Sequence, residues 1–94
     1  FQILNLIFIE VGSNKVILDA KQLLVLNYEI KLKIFIILIK FICSKDIQIR
    51  SKKIDIIIRK MAEFNKISLY SYQTNIRKDN DLIIISKIHQ IIQQ

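Results

Sequence analysis

The residues of this chain best suited to chemistry are basic, and they cluster. Arg50, Lys52, Lys53, Arg59 and Lys60 share one short stretch. They follow Ile47-Gln48-Ile49, whose alternation with Arg50 reads as a half-buried strand. They open a segment in which Ile54, Ile57, Ile58, Met61 and Phe64 recur at helical spacing. Ser51 stands where a helix N-cap is expected. A basic turn between a strand and a helix can converge cations and backbone N–H groups on one phosphate, because the helix start carries a favourable potential for anions. Loops at the carboxyl ends of strands are also where α/β sheets bind ligands. The chemistry implied is phosphate-backbone binding. The plain alternative is a solvated basic helix end.

A second basic set, Lys66, Arg77 and Lys78, flanks Tyr70 and Tyr72. Aromatic rings interleaved with cations can stack on bases or riboses. Here the plain alternative is that the tyrosines lie at the edge of the core. The candidate RNA-binding residues are therefore Arg50, Lys52, Lys53, Arg59, Lys60, Tyr72, Arg77 and Lys78. Few other side chains suggest a reaction. Asp19 reads as a helix-capping acid, and His89 as a surface residue or RNA contact. Cys43 is the sole cysteine, so no intrachain disulfide or cysteine metal cluster is expected. One glycine, Gly12, cannot build a dinucleotide fingerprint or a P-loop. No catalytic group, metal, cofactor or small-molecule substrate is expected.

The elements that must position these residues are read through a strong bias. The chain has 94 residues, of which 24 are isoleucine and none is proline. Such a bias is expected of a gene in an AT-rich genome, so periodicity rather than residue identity decides the elements. Phe1 to Glu10 is apolar and ambiguous between helix and strand. Gly12-Ser13-Asn14 reads as a turn and Lys15 to Asp19 as a strand. Tyr28 to Cys43 reads as a helix, with a possible earlier start near Ala20. Its apolar face carries Ile30, Ile34, Ile37, Leu38, Phe41 and Ile42. Ser44 to Asp46 breaks it. After the basic helix come a strand at Ile67 to Tyr70 and a polar loop from Asn75 to Asp81. A strand at Leu82 to Ile85 and a closing helix from Lys87 to Gln94 complete the reading; one helix from Asp81 to Gln94 is the alternative.

Strands alternating with helices predict an α/β fold: a small three-layer domain with a mostly parallel sheet, flavodoxin-like or Rossmann-like. The expected organisation is one domain over residues 1–94, with a truncated or split part of a larger fold as the alternative. The net charge of +7 favours polyanions, meaning nucleic acid or an anionic membrane surface. Leu23 to Cys43 is long and apolar, but Asn27, Glu29, Lys31, Lys33 and Lys40 interrupt it. Charges inside a span are expensive, so no membrane span is expected.

The order of these segments resembles bacterial-type small-subunit ribosomal protein S-two, in a diverged and shortened organellar form. Ile7-Phe8-Ile9-Glu10 with Gly12 is similar to that family's Ile-Phe-x-Glu-x-Asn-Gly. Val16-Ile17-Leu18-Asp19 and Ala20-Lys21-Gln22-Leu23 resemble its next strand and helix start. Ile47 to Lys53 resembles its strand ending in Gly-Thr-Lys-Lys, with Arg50 in place of the glycine. Ile57-Ile58-Arg59-Lys60 with Ala62 resembles the following helix, and Tyr70 with Gln73 its Tyr-x-x-Gln strand. Asp81 to Ile85, then Lys87 to Gln94, resemble its later strand and helix. The family's Arg-Trp-Leu-Gly-Gly segment is absent after Gln73. The resemblance implies a structural constituent of a mitochondrial ribosome encoded in an AT-rich organellar genome. The implied partners are rRNA and neighbouring ribosomal proteins. Two other readings stand beside it: a STAS-like regulatory or interaction domain, and a small membrane-associated subunit of an organellar complex.

Overall fold

A computed structural model describes residues 7–43 and 47–88. Two strands come first, β1 (Phe8–Val11) and β2 (Lys15–Asp19). Three helices follow: α1 (Ala20–Leu24), α2 (Tyr28–Cys43) and α3 (Ser51–Glu63). A meander closes the described chain: β3 (Lys66–Ser71), β4 (Thr74–Asp79) and β5 (Leu82–Lys87).

The five strands form one sheet in the order β1-β2-β5-β4-β3, and every neighbouring pair is antiparallel. This corrects the expected mostly parallel, flavodoxin-like or Rossmann-like architecture. The physical reason lies in two segments. Ile47 to Ile49 is not a strand. Ile49 instead packs its side chain against the core outside any strand, so among the described residues no strand separates α2 from α3 and no β-α-β crossover is formed. The polar stretch Asn75 to Asp79, expected to be a loop, lies in β4. Its alternation is complete once Lys78 is counted with Thr74 and Ile76 on the buried side.

Among the described residues, the helices cover one face of the sheet. Val16, Leu18, Ile76, Ile83 and Ile85 face the helices and are fully buried. Strand register aligns Val16 with Ile85 and Ile76, and Leu18 with Ile83, in continuous rows. Helix α2 packs across β2, β5 and β4, while α3 packs beside α2 and against β3. Phe35, Ile39 and Ile42 from α2, and Ile54 and Met61 from α3, fill the layer between. Burying such side chains contributes roughly 1.5–3 kcal/mol each.

Local chemistry sets the element ends. The Gln22 N–H donates to Asp19 at 3.0 Å, so Asp19 caps α1 as its sequence position suggests. The Ile30 N–H donates to the Asn27 side chain at 2.9 Å, which starts α2 afresh after α1. The two are thus separate helices rather than one beginning at Ala20. The β3–β4 turn is Tyr72-Gln73, both with positive φ (52° and 62°). That backbone suits a two-residue hairpin, although neither residue favours it. Residues 1–6, the expected break at Ser44 to Asp46, and all but the first two residues of the expected closing helix, including His89, lie outside the described residues. Lys87 belongs to β5.

Candidate nucleic-acid interface

Helix α3 sorts the basic residues. Its register sends Ile54, Ile57, Ile58 and Met61 into the core. The remaining positions form two flanks. Lys52, Asp55 and Arg59 line a cleft with Tyr28 of α2. Lys53, Ile56 and Lys60 line a groove with Leu69 and Tyr70 of β3.

On the flank toward α2, Asp55 is engaged from two sides. The Tyr28 hydroxyl donates to Asp55 Oδ1 at 2.7 Å. Arg59 Nε lies 3.0 Å from Asp55 Oδ2, four residues along the helix. The Tyr28 hydrogen bond, helped by the Arg59 charge, holds the Asp55 carboxyl below the usual carboxylate range. The same bond pushes the Tyr28 phenol above its ordinary value. Arg59 therefore already has a carboxylate partner.

The start of α3 and its other flank differ. Arg50 occupies the N-cap position, with no side-chain hydrogen bond capping the helix. The expected Ser51 cap is thus displaced by one residue. The backbone N–H of Arg50 instead donates to the Tyr72 hydroxyl at 2.9 Å. Lys53 Nζ lies over the Tyr72 ring, 5.3 Å from its centre, a cation–π geometry. Tyr72 therefore clips the β3–β4 turn to the start of α3. Arg50, Lys52, Lys53 and Lys60 are all exposed. Among the described residues, no carboxylate lies within ion-pair distance of any of the four.

The remaining candidates lie elsewhere. Arg77 is exposed on the sheet face opposite the helices, in register with Ser68 and Ile84. Lys78 is 7% exposed, and its Nζ donates to the Met61 carbonyl at 2.7 Å. That carbonyl belongs to the last turn of α3, where helix carbonyls have no intrahelical partner. Lys78 thus closes the C-terminal end of α3 from below, its stem in the core and its charge on the helix's negative end. The structure gathers Arg50, Lys52, Lys53 and Tyr72 at the start of α3, places Lys60 in its last turn, gives Arg59 an acid partner, and separates Arg77 and Lys78 from the group.

Sequence reasoning missed the roles of Tyr28 and Asp55. The Asp55–Arg59 spacing was a usable signal, whereas the tyrosine reaches across from another helix and leaves no local trace. Cys43 is buried in α2. Among the described residues no helix is long and apolar enough to cross a membrane, and no three metal-binding side chains cluster. No family model, curated protein or solved structure matches the chain.

Proposed function

We propose that the chain is a structural, RNA-binding component of a ribonucleoprotein, with the mitochondrial ribosomal small subunit as its setting. The setting rests on the resemblance of the sequence segments alone. The mostly parallel fold expected from the alternation of strands and helices is not the fold observed. The binding role rests on one observation: three exposed cations, Arg50, Lys52 and Lys53, crowd the start of α3, with Lys60 exposed in its last turn, and among the described residues none of the four has a carboxylate within ion-pair distance.

The corner suits a phosphate backbone more than a base edge. Lysines act there as point charges that neutralise phosphates and release counterions. Backbone N–H groups in the first turn of α3 add donors of the right sign. Such contacts position a protein on RNA and carry little sequence information. Binding is accordingly shape-directed and salt-sensitive, with sequence readout minor. The experiment is sedimentation of the tagged chain from organelle lysate through a high-salt gradient. Migration with the ribosomal small subunit is expected. Migration as free protein, or with membranes after carbonate extraction, contradicts the proposal.

A further inference from the structure

Among the described residues, strand β3 is an edge of the sheet and pairs only with β4. The two sheet edges are built differently. Strand β1, the other edge, is only four residues long and carries a bulge between Phe8 and Glu10, a device that blunts an edge against further pairing. Strand β3 has six residues in unbroken register with β4, from Lys66 opposite Asp79 to Ser71 opposite Thr74. The hairpin fixes which backbone groups are used. With a two-residue turn, Ser71 and Thr74 exchange hydrogen bonds, and alternate pairs repeat the pattern. Leu69 and Ile67 therefore bond to β4. The bond from the Asn80 N–H to the Asn65 carbonyl, at 2.7 Å, continues the same alternation. The N–H and C=O groups of Lys66, Ser68 and Tyr70 consequently point away from the sheet.

Alongside this edge runs the groove between α3 and β3, of about 220 Å³. Its middle is apolar: Ile56 is 53% exposed there, beside Leu69. Lys53 and Lys60 stand on its helix side, two turns apart, which is roughly 10 Å along the axis. Lys66 begins the strand.

We infer that the β3 edge binds an extended, acidic segment of a partner protein by strand addition. The outward backbone groups supply the ladder, Ile56 and Leu69 seat an apolar side chain, and Lys53 and Lys60 pair with acids on either side of it. Charge selects this occupant. A second copy of the chain would set Lys53, Lys60 and Lys66 against the same lysines, on a molecule already carrying +7. A nucleic acid would satisfy the lysines but not the alternating donors and acceptors of the strand, which match another peptide backbone. The site shares Lys53 and Lys60 with the proposed RNA surface but does not require that reading.

The test uses the full chain and a fluorescent peptide of about eight residues alternating glutamate and valine, near the usual length of a strand. The same peptide with lysine for glutamate, and an oligouridylate, serve as comparison probes. The acidic peptide is expected to bind and to protect the Ser68 and Tyr70 amides from hydrogen exchange. Lys60→Glu should weaken it about tenfold, the scale of losing one favourable charge and gaining a repulsive one. Ser68→Pro removes an outward N–H and no backbone bond to β4, an edge position where proline is tolerated; it also deletes the Ser68 Oγ that accepts from Asn75 Nδ2 at 2.8 Å, and it should weaken peptide binding similarly. Lys52→Ala should leave the peptide unaffected, so loss of RNA binding alone does not touch this inference. No binding of the acidic peptide, equal binding by Ser68→Pro, or protection of those amides by oligouridylate instead overturns it. Should Ser68→Pro fail to fold, the exposed Lys60→Glu change and the exchange pattern decide the matter.

Discussion

Both flanks of α3 carry basic residues, and Arg59 on one has a different electrostatic fate from Lys53 and Lys60 on the other. Toward α2, Arg59 meets Asp55, and Tyr28 completes the set. At the helix start and toward the meander, Arg50, Lys52, Lys53 and Lys60 have no acid within ion-pair distance among the described residues, and an uncharged tyrosine holds the Arg50 backbone and Lys53. The difference shows that a count of basic residues overstates the surface available to a polyanion. Arg59 is already compensated, and Lys78 belongs to the fold. What remains is a corner held in shape by Tyr72, and that corner carries the binding proposal.

The largest effect expected concerns the lysine that serves the fold. Lys78→Ala leaves the Met61 carbonyl without its charged donor and empties the space of the lysine stem. A loss of about 2–3 kcal/mol is expected in urea unfolding. RNA affinity measured where the variant remains folded should hardly change. A large drop in affinity with intact stability would move Lys78 from the fold to the interface and break the division between the two flanks.

The tyrosine clip gives an intermediate effect. Tyr72→Ala removes both the ring beneath Lys53 and the acceptor for the Arg50 N–H, without altering net charge. RNA binding is expected to fall several-fold, and stability by about 1 kcal/mol, in line with one hydrogen bond and one exposed cation–π contact. Tyr72→Phe should keep the ring contact and lose only the hydrogen bond. In the same turn Gln73 sits at φ 62°, where glycine carries no steric cost. Gln73→Gly should therefore raise stability by up to about 1 kcal/mol. Thermal melts check both, and a melting point lowered by Gln73→Gly would contradict the turn geometry.

The smallest effect is a titration on the flank toward α2. Asp55 has its folded-state pKa depressed, chiefly by the Tyr28 hydroxyl. Its contribution to stability is therefore present above the ordinary carboxylate range and lost as pH falls through the lowered folded value. Tyr28 has the opposite sense: its contribution is present below the ordinary phenol value and lost as pH rises through the raised one. Both groups are exposed, so both changes are slight. Carboxyl chemical shifts should show Asp55 titrating at higher pH in Tyr28→Phe than in the parent. An unchanged midpoint would mean that the hydroxyl is not the main cause.

Much of the scaffold was legible in the sequence. Isoleucines at helical spacing bounded α2 at Tyr28 and Cys43, although Ile30, Ile37 and Phe41 of its expected apolar face are exposed, and marked α3 to within a residue at each end. The Gly12-Ser13-Asn14 turn and the β2, β3 and β5 strands were also visible. The parallel sheet was a wrong inference with two traceable sources. Ile47 and Ile49 alternate with polar residues as a strand would, yet alternation alone does not supply a neighbouring strand to pair with. Strand β4 hid because a lysine fills one of its core positions, and a buried lysine looks polar until its carbonyl partner is known. The Tyr72-Gln73 turn had no glycine or asparagine to announce it. For the candidate site, local sequence was enough to find the exposed cluster Arg50, Lys52, Lys53 and Lys60. It could not show that Tyr28 reaches Asp55, or that Arg77 and Lys78, adjacent in the chain, face opposite sides of the sheet.

The central claim is that the start of α3, and not its α2 flank, binds RNA phosphates. Salt dependence of binding to a small-subunit rRNA fragment tests it most directly, in the parent, in Lys52→Ala/Lys53→Ala and in Arg59→Ala. The double variant is expected to lower the slope of log affinity against log salt by about two units, close to one per lost phosphate contact. Arg59→Ala should leave the slope nearly unchanged, because its charge already faces Asp55. Equal slopes for the parent and the double variant, or a larger loss from Arg59→Ala, would contradict the account.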